Sequence, residues 1–299
     1  MALVRPLSRA ASSRVLVVGG GIAGLTAALD LAAVGLPVTL VEEGPSIGGL
    51  MAQLDKTFPT NDCAMCILAP RLLEAARHPL IDIQTLTRVV GLEGRPGDFQ
   101  VLLARRPRYV DPARCTGCGE CVRVCPKRIP DPYNQGLSQT KAIHVPFPQA
   151  VPQAAYITPE ACRHLQGRKE ASCVKVCLAE AVNFEDQPET FVVEAGAVIL
   201  APGAKPAPVA DFPGAWHPDV VTSLEFERLL SATGPHGGKL LRPSDQTEPR
   251  SIAFIQCVGS RDQEKGAAYC SGFCCLASLK EALVAQELTQ NQLAATMFY

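Results

Sequence analysis

Cysteines are the residues best placed to do chemistry in this chain, which contains 13 of them in 299 residues. Four lie within the stretch CTGCGECVRVCP: Cys115, Cys118, Cys121 and Cys125. The spacing C-x2-C-x2-C-x3-C, followed by Pro126, is one that binds [4Fe-4S] clusters, and the fourth thiolate usually serves a second cluster. Gly117 and Gly119 let the loop curl round a cluster, because glycine tolerates positive φ. A zinc knuckle is the alternative, but this close spacing fits zinc poorly.

A second, incomplete cysteine group follows at Cys162, Cys173 and Cys177. In two-cluster ferredoxins each cysteine motif gives one cysteine to the other cluster. If the same exchange occurs here, the ligands of each cluster can be assigned. The first is Cys115, Cys118, Cys121 and Cys177, and the second is Cys125, Cys162 and Cys173. Glu170 stands where a further cysteine would be expected, so one iron is left for Glu170 or water, or the site holds a [3Fe-4S] cluster. The alternative is that Glu170 is a solvated surface charge.

The remaining cysteines form two more groups. A possible third cluster site lies in QCVGSRD and YCSGFCC: Cys257, Cys270, Cys274 and Cys275. Structural thiols at the start of a helix are the alternative there. Cys63 and Cys66 form a CxxC pair, which can be a redox dithiol, half of a metal site, or two buried thiols that behave as apolar side chains.

A glycine-rich turn near the start of the chain predicts a dinucleotide site. Gly19, Gly21 and Gly24 form a G-x-G-x-x-G motif between a buried-strand pattern and a helix of small residues, and Glu42 ends the next strand. In this context the glycines permit a tight turn, approach of backbone to a pyrophosphate, and close contact of helix and strand. Helix N–H groups would bind phosphate oxygens, and Glu42 a ribose hydroxyl. The alternative is a turn that binds nothing.

The dinucleotide is predicted to be FAD rather than NAD. The loop GPSIGG, with Gly48 and Gly49, follows the acidic residue almost directly. It resembles the loop that two-dinucleotide flavoproteins place near the flavin phosphates. The strand pattern over 191–200 is followed by Ala-Pro-Gly, which ends in Gly203. This resembles the Ala-Thr-Gly that usually closes the dinucleotide domain of such flavoproteins, although Pro202 replaces the threonine.

These patterns predict a flavin domain interrupted by a cluster domain. The Pro-rich stretch 146–152 is expected to be extended, because the fixed φ of proline suits that conformation. After the strand pattern SIAFI the cysteine motif replaces a glycine turn, so a nicotinamide site is not expected. The chain stops after one more strand pattern, which suggests a fragment. The predicted boundaries are a leader 1–13, flavin domain 14–107 and 185–249, inserted domain 108–184, and an incomplete α/β unit 250–299.

Composition excludes several classes of function. The net charge of −1 and an aromatic content of 5% do not favour nucleic acid or an anionic membrane as a partner. No run of about 18 apolar residues that could span a membrane is present. Cysteines in metal-ligand spacings point to a reduced, cytoplasmic metalloprotein. The isolated histidines His78, His144 and His164 are interpreted as structural or surface residues, and no catalytic residue is assigned.

The chain resembles the A-type subunits of the CoB–CoM heterodisulfide reductases, FAD and iron–sulfur proteins of methanogens with relatives in anaerobic bacteria. The resemblance runs from about residue 14 to residue 299. It is carried by GGGIAG, SIGGLMAQLDKTFPTNDCAMCILAP, CTGCGECVRVCP, KAIHVPFPQAVP, TSLEFERLLSATGP, QCVGSRD and YCSGFCC. It implies an α/β fold: a thioredoxin-reductase-like FAD-binding Rossmann fold with an inserted ferredoxin-like, two-cluster α+β domain. It also implies that Cys63 or Cys66 helps to bind a cluster.

The function implied is electron transfer between FAD and [4Fe-4S] clusters, in some members by flavin-based bifurcation. The implied partners are B- and C-type subunits of a heterodisulfide reductase-like complex, with ferredoxin, a hydrogenase or a dehydrogenase as electron donor. Two alternatives stay open. One is an electron-relay or assembly module without its own turnover, and the other, weaker one is an NAD(P)H–ferredoxin oxidoreductase.

Overall fold

The computed structural model describes residues 12–168, 171–207, 212–264 and 267–299, so most of the predicted leader lies outside the described residues. The strands are β1 (Val15–Val18), β2 (Val38–Val41), β3 (Ile81–Gln84), β4 (Thr87–Arg95), β5 (Asp98–Arg105), β6 (Arg128–Pro130), β7 (Gln139–Lys141), β8 (Ile143–His144), β9 (Tyr156–Ile157), β10 (Glu189–Ala195), β11 (Ala197–Leu200), β12 (Ser251–Ile255) and β13 (Ala294–Phe298). The helices are α1 (Ile22–Ala33), α2 (Ala64–Arg77), α3 (Glu120–Val124), α4 (Ser172–Val176), α5 (Ser223–Leu230) and α6 (Cys274–Leu288), with a 3-10 turn over Gly49–Gln53.

The chain divides into two compact units, which are described separately. The first comprises residues 1–49, 68–128 and 141–203. Its centre is a parallel sheet in the order β11-β1-β2-β3, with β1 joined to β2 through α1. β1 is a continuous apolar run and β2 is apolar except for the buried Thr39, as expected for strands covered on both faces, and Leu16, Val17 and Leu40 are fully buried. The predicted β–α–β unit is therefore present.

A second sheet of the first unit shows where the chain makes its long excursion. β4, β5 and β10 form an antiparallel sheet in which Arg105, the last residue of β5, lies opposite Glu189, the first residue of β10. Residues 106–188 therefore leave the sheet and return to it at one point. Val101 and Leu103 of β5 pack with Leu16 of β1, so both sheets share a core.

The strand predicted over 191–200 is in fact two strands in two sheets. β10 ends at Ala195, and β11 begins at Ala197 in the parallel sheet. Gly196 makes the crossing possible, because a Cβ there would lie 2.0 Å from the carbonyl oxygen of Ser12. The sequence pattern is continuous because both strands are partly buried and rich in branched residues.

The excursion contains two similar halves. α3 (ECVRV) and α4 (SCVKV) pack against each other, and each contains one predicted ligand and is followed by another. An isolated antiparallel bridge joins Val110 to Val182 near the two ends of the excursion. β8 and β9 form a short antiparallel ladder. The stretch 146–152 is not extended as predicted: it turns, with the Ala150 N–H donating to the Phe147 carbonyl at 3.1 Å.

The second unit comprises residues 50–67, 129–140 and 204–299. β12 and β13 are parallel and are joined by α6, which confirms both the SIAFI strand and the strand near the end of the chain. Its core includes Phe226 of α5 and Phe254 of β12, whose rings meet edge to face at 5.7 Å. In the described part of the chain, no helix has the length and apolar character needed to cross a membrane.

Candidate flavin and cluster site

Close backbone contacts explain the glycines of the first turn. Gly19 has φ +108°, and a Cβ on it would lie 2.0 Å from the Ala201 carbonyl oxygen. A Cβ on Gly24 would lie 1.9 Å from the carbonyl oxygen of Gly19. The turn, α1 and the end of β11 thus approach one another at distances that only glycine permits.

The turn presents the first backbone N–H groups of α1, which have no partner within the helix. α1 begins after Gly21, which has no side chain that could cap the helix. A Cβ on Gly21 would lie 3.9 Å from the Cα of Gly49, so the space beside Gly21 is open on its other sides. The N–H of Gly48 donates to the carbonyl of Gly20 at 2.8 Å, so the GPSIGG loop lies beside the turn. Two glycine loops at a helix N-terminus form a surface suited to a pyrophosphate. Gly203 has φ +71° and faces open space.

Glu42 connects these loops through its carboxylate. One oxygen accepts from the N–H of Gly20 at 2.8 Å, and the other from the N–H of Gly44 at 2.7 Å. Each carboxylate oxygen has a further lone pair, and the residue is only half-buried. The side chain is therefore held in one orientation and can still accept a hydrogen bond from a ribose hydroxyl.

Six of the seven cysteines of the excursion lie round one small core, in which Cys162 is buried, whereas Cys118 is exposed. Burial, followed by the neighbouring Cys115 and Cys173 and more weakly by Cys118, raises the pKa of Cys121 to about 12. The structure thus brings together three members of the predicted first set. The fourth, Cys177, lies on the same core, and its Sγ accepts from the N–H of Ala181 at 3.3 Å. Such an N–H···S contact is common round iron–sulfur clusters.

The predicted second set is also brought together. Burial, followed by Cys162 and Cys125, raises the pKa of Cys173 to about 11. All three cysteines line a cavity of about 330 Å³. Glu170, the alternative ligand, lies outside the described residues.

The donors fit an iron–sulfur cluster. Among the described residues, no three Cys, His, Asp or Glu side chains converge tightly enough to hold one metal ion. A cubane differs, because each thiolate bonds to a separate iron and the thiolates stand further apart than round one ion. Two neighbouring sets of thiols, most of them partly buried and one set beside a cavity, meet that requirement.

The excursion, residues 106–188, is joined directly to the GPSIGG loop by hydrogen bonds. The N–H of Ile47 donates to the carbonyl of Val151 at 3.0 Å, and Ser46 Oγ exchanges hydrogen bonds with both backbone groups of Val151. Two residues on, the carbonyl oxygen of Gln153 would lie 3.1 Å from a Cβ on Gly117 of the cysteine loop. A few residues therefore span the distance from the glycine loops to the first cysteine set.

The second unit carries the third cysteine group in the loop between β12 and α6 and at the start of α6. Cys275 interacts with all three others, and the pKa of its thiol is raised, first by desolvation and then by Cys274, Cys257 and Cys270. Cys257 has φ +60°, and its Sγ lies 3.8 Å from Arg261 Nη1. The group occupies the topological position that the glycine turn occupies between β1 and α1.

Comparison with known proteins decides the family. The model of the pyridine nucleotide-disulphide oxidoreductase family matches residues 13–249. The chain belongs to this family. An oxidoreductase of this family is thus the setting for the cysteine groups described above.

Its curated relatives include A-type subunits of heterodisulfide reductases. The second A-type iron–sulfur subunit of the CoB–CoM heterodisulfide reductase of Methanopyrus kandleri is 48% identical over 92% of this chain and 42% of its own length. The A-type subunit of the H2:CoB–CoM heterodisulfide, ferredoxin reductase of Methanothermobacter marburgensis is 42% identical over 99% of this chain and 45% of its own length. The chain therefore spans less than half the length of these relatives.

Among solved structures, L-proline dehydrogenase from P. horikoshii aligns with 95% of this chain and 36% of its own, at 15% identity and a TM-score of 0.42. A similarity of this degree carries no argument about function.

In this oxidoreductase, Cys63 and Cys66 are bonded to each other, with their Cα atoms 5.2 Å apart. Both residues are exposed, so the interpretation as buried thiols is wrong. A disulfide sulfur is not a thiolate, so the pair must be reduced before either sulfur can bind iron.

One cavity residue was missed by sequence reasoning. His164, interpreted as structural or surface, lines the same cavity as Cys162 and Cys173. Its position two residues after a predicted ligand is the signal that could have drawn attention to it.

Proposed function

We propose that the chain is an FAD- and iron–sulfur-dependent electron-transfer module of a heterodisulfide reductase-like complex. FAD would be bound by Gly19, Gly21, Gly24, Glu42, Gly48, Gly49 and Gly203. Clusters would be bound by Cys115, Cys118, Cys121, Cys125, Cys162, Cys173 and Cys177 in an inserted ferredoxin-like domain over 108–184. A third cluster would be bound by Cys257, Cys270, Cys274 and Cys275. Flavin exchanges two electrons and each cluster exchanges one, so the flavin is the junction.

The observation that carries this proposal is the direct connection between the two kinds of site. The loop that lies beside the dinucleotide turn, at Ser46 and Ile47, is hydrogen-bonded to Val151, which is two residues from the backbone contact with the cysteine loop. Electron transfer between flavin and cluster requires such proximity. The proposal is also supported by the 48% identity to a heterodisulfide reductase protein.

The proposal includes partners that the chain itself does not contain. B- and C-type subunits would provide the site where the heterodisulfide is reduced, and a ferredoxin, hydrogenase or dehydrogenase would supply electrons. It also places the protein in a reducing, cytoplasmic compartment, where thiols remain free to bind iron.

Anaerobic purification followed by reduction tests the proposal. FAD and iron should be present together, and a low-potential donor should bleach the flavin and then reduce the clusters. Protein that binds iron but never FAD would support a relay or assembly module instead. Bleaching by NADH would support the nicotinamide-linked alternative.

A further inference from the structure

Among the described residues, the site of the proposed second cluster has only three cysteine ligands. Cys125, Cys162 and Cys173 line the cavity, and a cubane has four irons that each need a terminal ligand. The sequence leaves the fourth iron to Glu170 or water. The structure offers another donor in the same cavity.

That donor is the imidazole of His164. Its Nδ1 atom is buried and has no hydrogen-bond partner among the described residues. The ring is held against Phe184, with the centroids 4.2 Å apart, and both residues line the cavity. A buried polar atom left without a partner costs roughly 1–3 kcal/mol. The other such atom in the described residues, Thr158 Oγ1, does not line the cavity.

Other histidines show what a satisfied Nδ1 looks like in this protein. His144 Nδ1 lies 2.8 Å from the Lys141 carbonyl oxygen. His78 Nδ1 accepts from the N–H of Leu80 at 3.2 Å, and His217 Nδ1 accepts from Asp219 at 3.1 Å. Among the described residues, the Nδ1 atom of His164 thus differs from these three, and its residue lines the cavity where a ligand is missing.

The charges round the cavity suit an anionic cluster. Arg163 and Arg168 line it beside the three thiols. A neutral imidazole in place of a fourth thiolate also removes one negative charge, and histidine ligation is known to raise cluster reduction potentials. The second cluster would then accept electrons more readily than the first, which has four thiolates.

We propose that His164 is the fourth ligand of the cluster bound by Cys125, Cys162 and Cys173. The neutral imidazole donates the Nδ1 lone pair to the fourth iron and keeps its proton on Nε2, and a water molecule leaves that iron. No electron is transferred in this step. The inference rests on the proposed function only in requiring a cluster at this site.

Pulsed EPR on the dithionite-reduced, anaerobically purified 299-residue protein tests the ligand. The wild type should show a nitrogen nucleus strongly coupled to a cluster, and labelling with 15N-histidine should shift that coupling. His164→Ala should abolish it and release about one iron per chain, because that iron loses its protein ligand. His78→Ala, which removes another half-buried histidine, should leave the coupling intact.

His164→Cys guards against loss of the fold and completes the test. It should keep all of the iron, lose the nitrogen coupling and lower the potential of the affected cluster, because a thiolate replaces the imidazole. A coupling that persists in His164→Ala, or its absence from the wild type, would overturn the proposal. The proposal would also be overturned if Glu170→Gln lost about one iron per chain while His164→Ala kept all of its iron. Each iron has one terminal ligand, so that result would assign the fourth iron to Glu170.

Cys162→Ser separates failure of this inference from failure of the proposed function. Loss of iron in that variant, without nitrogen coupling in the wild type, means that a cluster is present but His164 does not bind it. Unchanged iron and unchanged EPR signals mean that no cluster is bound at the site, which overturns both the ligand and this part of the proposed function.

Discussion

Glu42 is a single side chain that connects the two glycine loops of the proposed FAD site. Its two oxygens accept N–H groups from Gly20 and Gly44, which belong to the two loops that face each other. Hydrogen bonds to a charged group contribute more than those between neutral groups. The residue therefore positions the backbone as well as offering an acceptor to a ribose.

Replacing Glu42 should weaken FAD binding. Glu42→Ala removes the acceptor for both N–H groups and for the ribose, and one lost charged hydrogen bond costs roughly 1.5–3 kcal/mol, so Kd should rise about tenfold or more. Quenching of flavin fluorescence on titration of the apoprotein measures this. Glu43→Ala, at the exposed neighbouring position, should leave Kd unchanged. Equal affinity in both variants would remove Glu42 from the site.

A buried acidic residue in the second unit predicts a pH effect. Lys280 pairs with Glu227, and Glu281 accepts from Ser223 Oγ beside them. Burial, with the nearby charge of Glu227, raises the pKa of Glu281 to about 8, despite the hydrogen bond from Ser223 and the charge of Lys280. The folded state therefore holds a proton that the unfolded state releases near the ordinary glutamate pKa.

The stability of the second unit should fall as pH rises from the ordinary glutamate range to about 8, because the folded pKa of Glu281 is raised to about 8. Glu281→Gln removes this titration, so the variant should lose less stability over that range than the wild type. Thermal unfolding at a series of pH values measures the difference. Parallel pH profiles for the two proteins would show that Glu281 is ionised in the folded state.

At the scale of elements, the excursion is attached to the flavin sheets by paired strands and by one buried cation. Arg108 follows β5 and is 6% exposed. It donates to Thr85 Oγ1 at 2.9 Å. It also donates to the carbonyl of Pro45, which belongs to the GPSIGG loop. Burial lowers its pKa to about 10, even though Cys115, Tyr156 and Asp186 oppose the shift.

Arg108→Met should destabilise the first unit by about 3 kcal/mol or more, because two partly buried acceptors lose a charged donor and Asp186 loses its counter-charge. Chemical denaturation, followed by the release of FAD and iron, measures this. Arg106→Ala is the matched control: Arg106 is exposed, and in the described contacts its side chain donates only to the Glu43 carbonyl. Similar losses in both variants would contradict the assigned role of Arg108.

Local motifs could be predicted from sequence, whereas tertiary contacts could not. Local patterns predict both β–α–β units, β1–α1–β2 and β12–α6–β13. In each, an apolar strand pattern and a helix pattern are separated by a glycine or cysteine motif. The break at Gly196 was missed because both strands have the same propensity and only the Ser12 carbonyl requires the glycine. The turn at 146–152 was missed because proline permits both conformations. His164 was missed because its partner cysteines are brought to it by folding.

At the scale of the whole molecule, the two units repeat one arrangement with different chemistry. In the first, a β–α–β unit presents glycine loops, and in the second an equivalent unit presents four cysteines. A chain of this kind can gather FAD and several clusters in one polypeptide. We propose that electrons pass between them inside this polypeptide.

The measurement that tests this claim most directly is flavin reduction by reduced ferredoxin, monitored by stopped-flow absorbance under anaerobic conditions. The wild type is compared with Cys115→Ser/Cys118→Ser, which should retain FAD but lose the first cluster. Reduction of the flavin should slow about tenfold or more in the variant, because the cluster carries single electrons from the donor to the flavin. Equal rates in two proteins that both contain FAD would contradict the account.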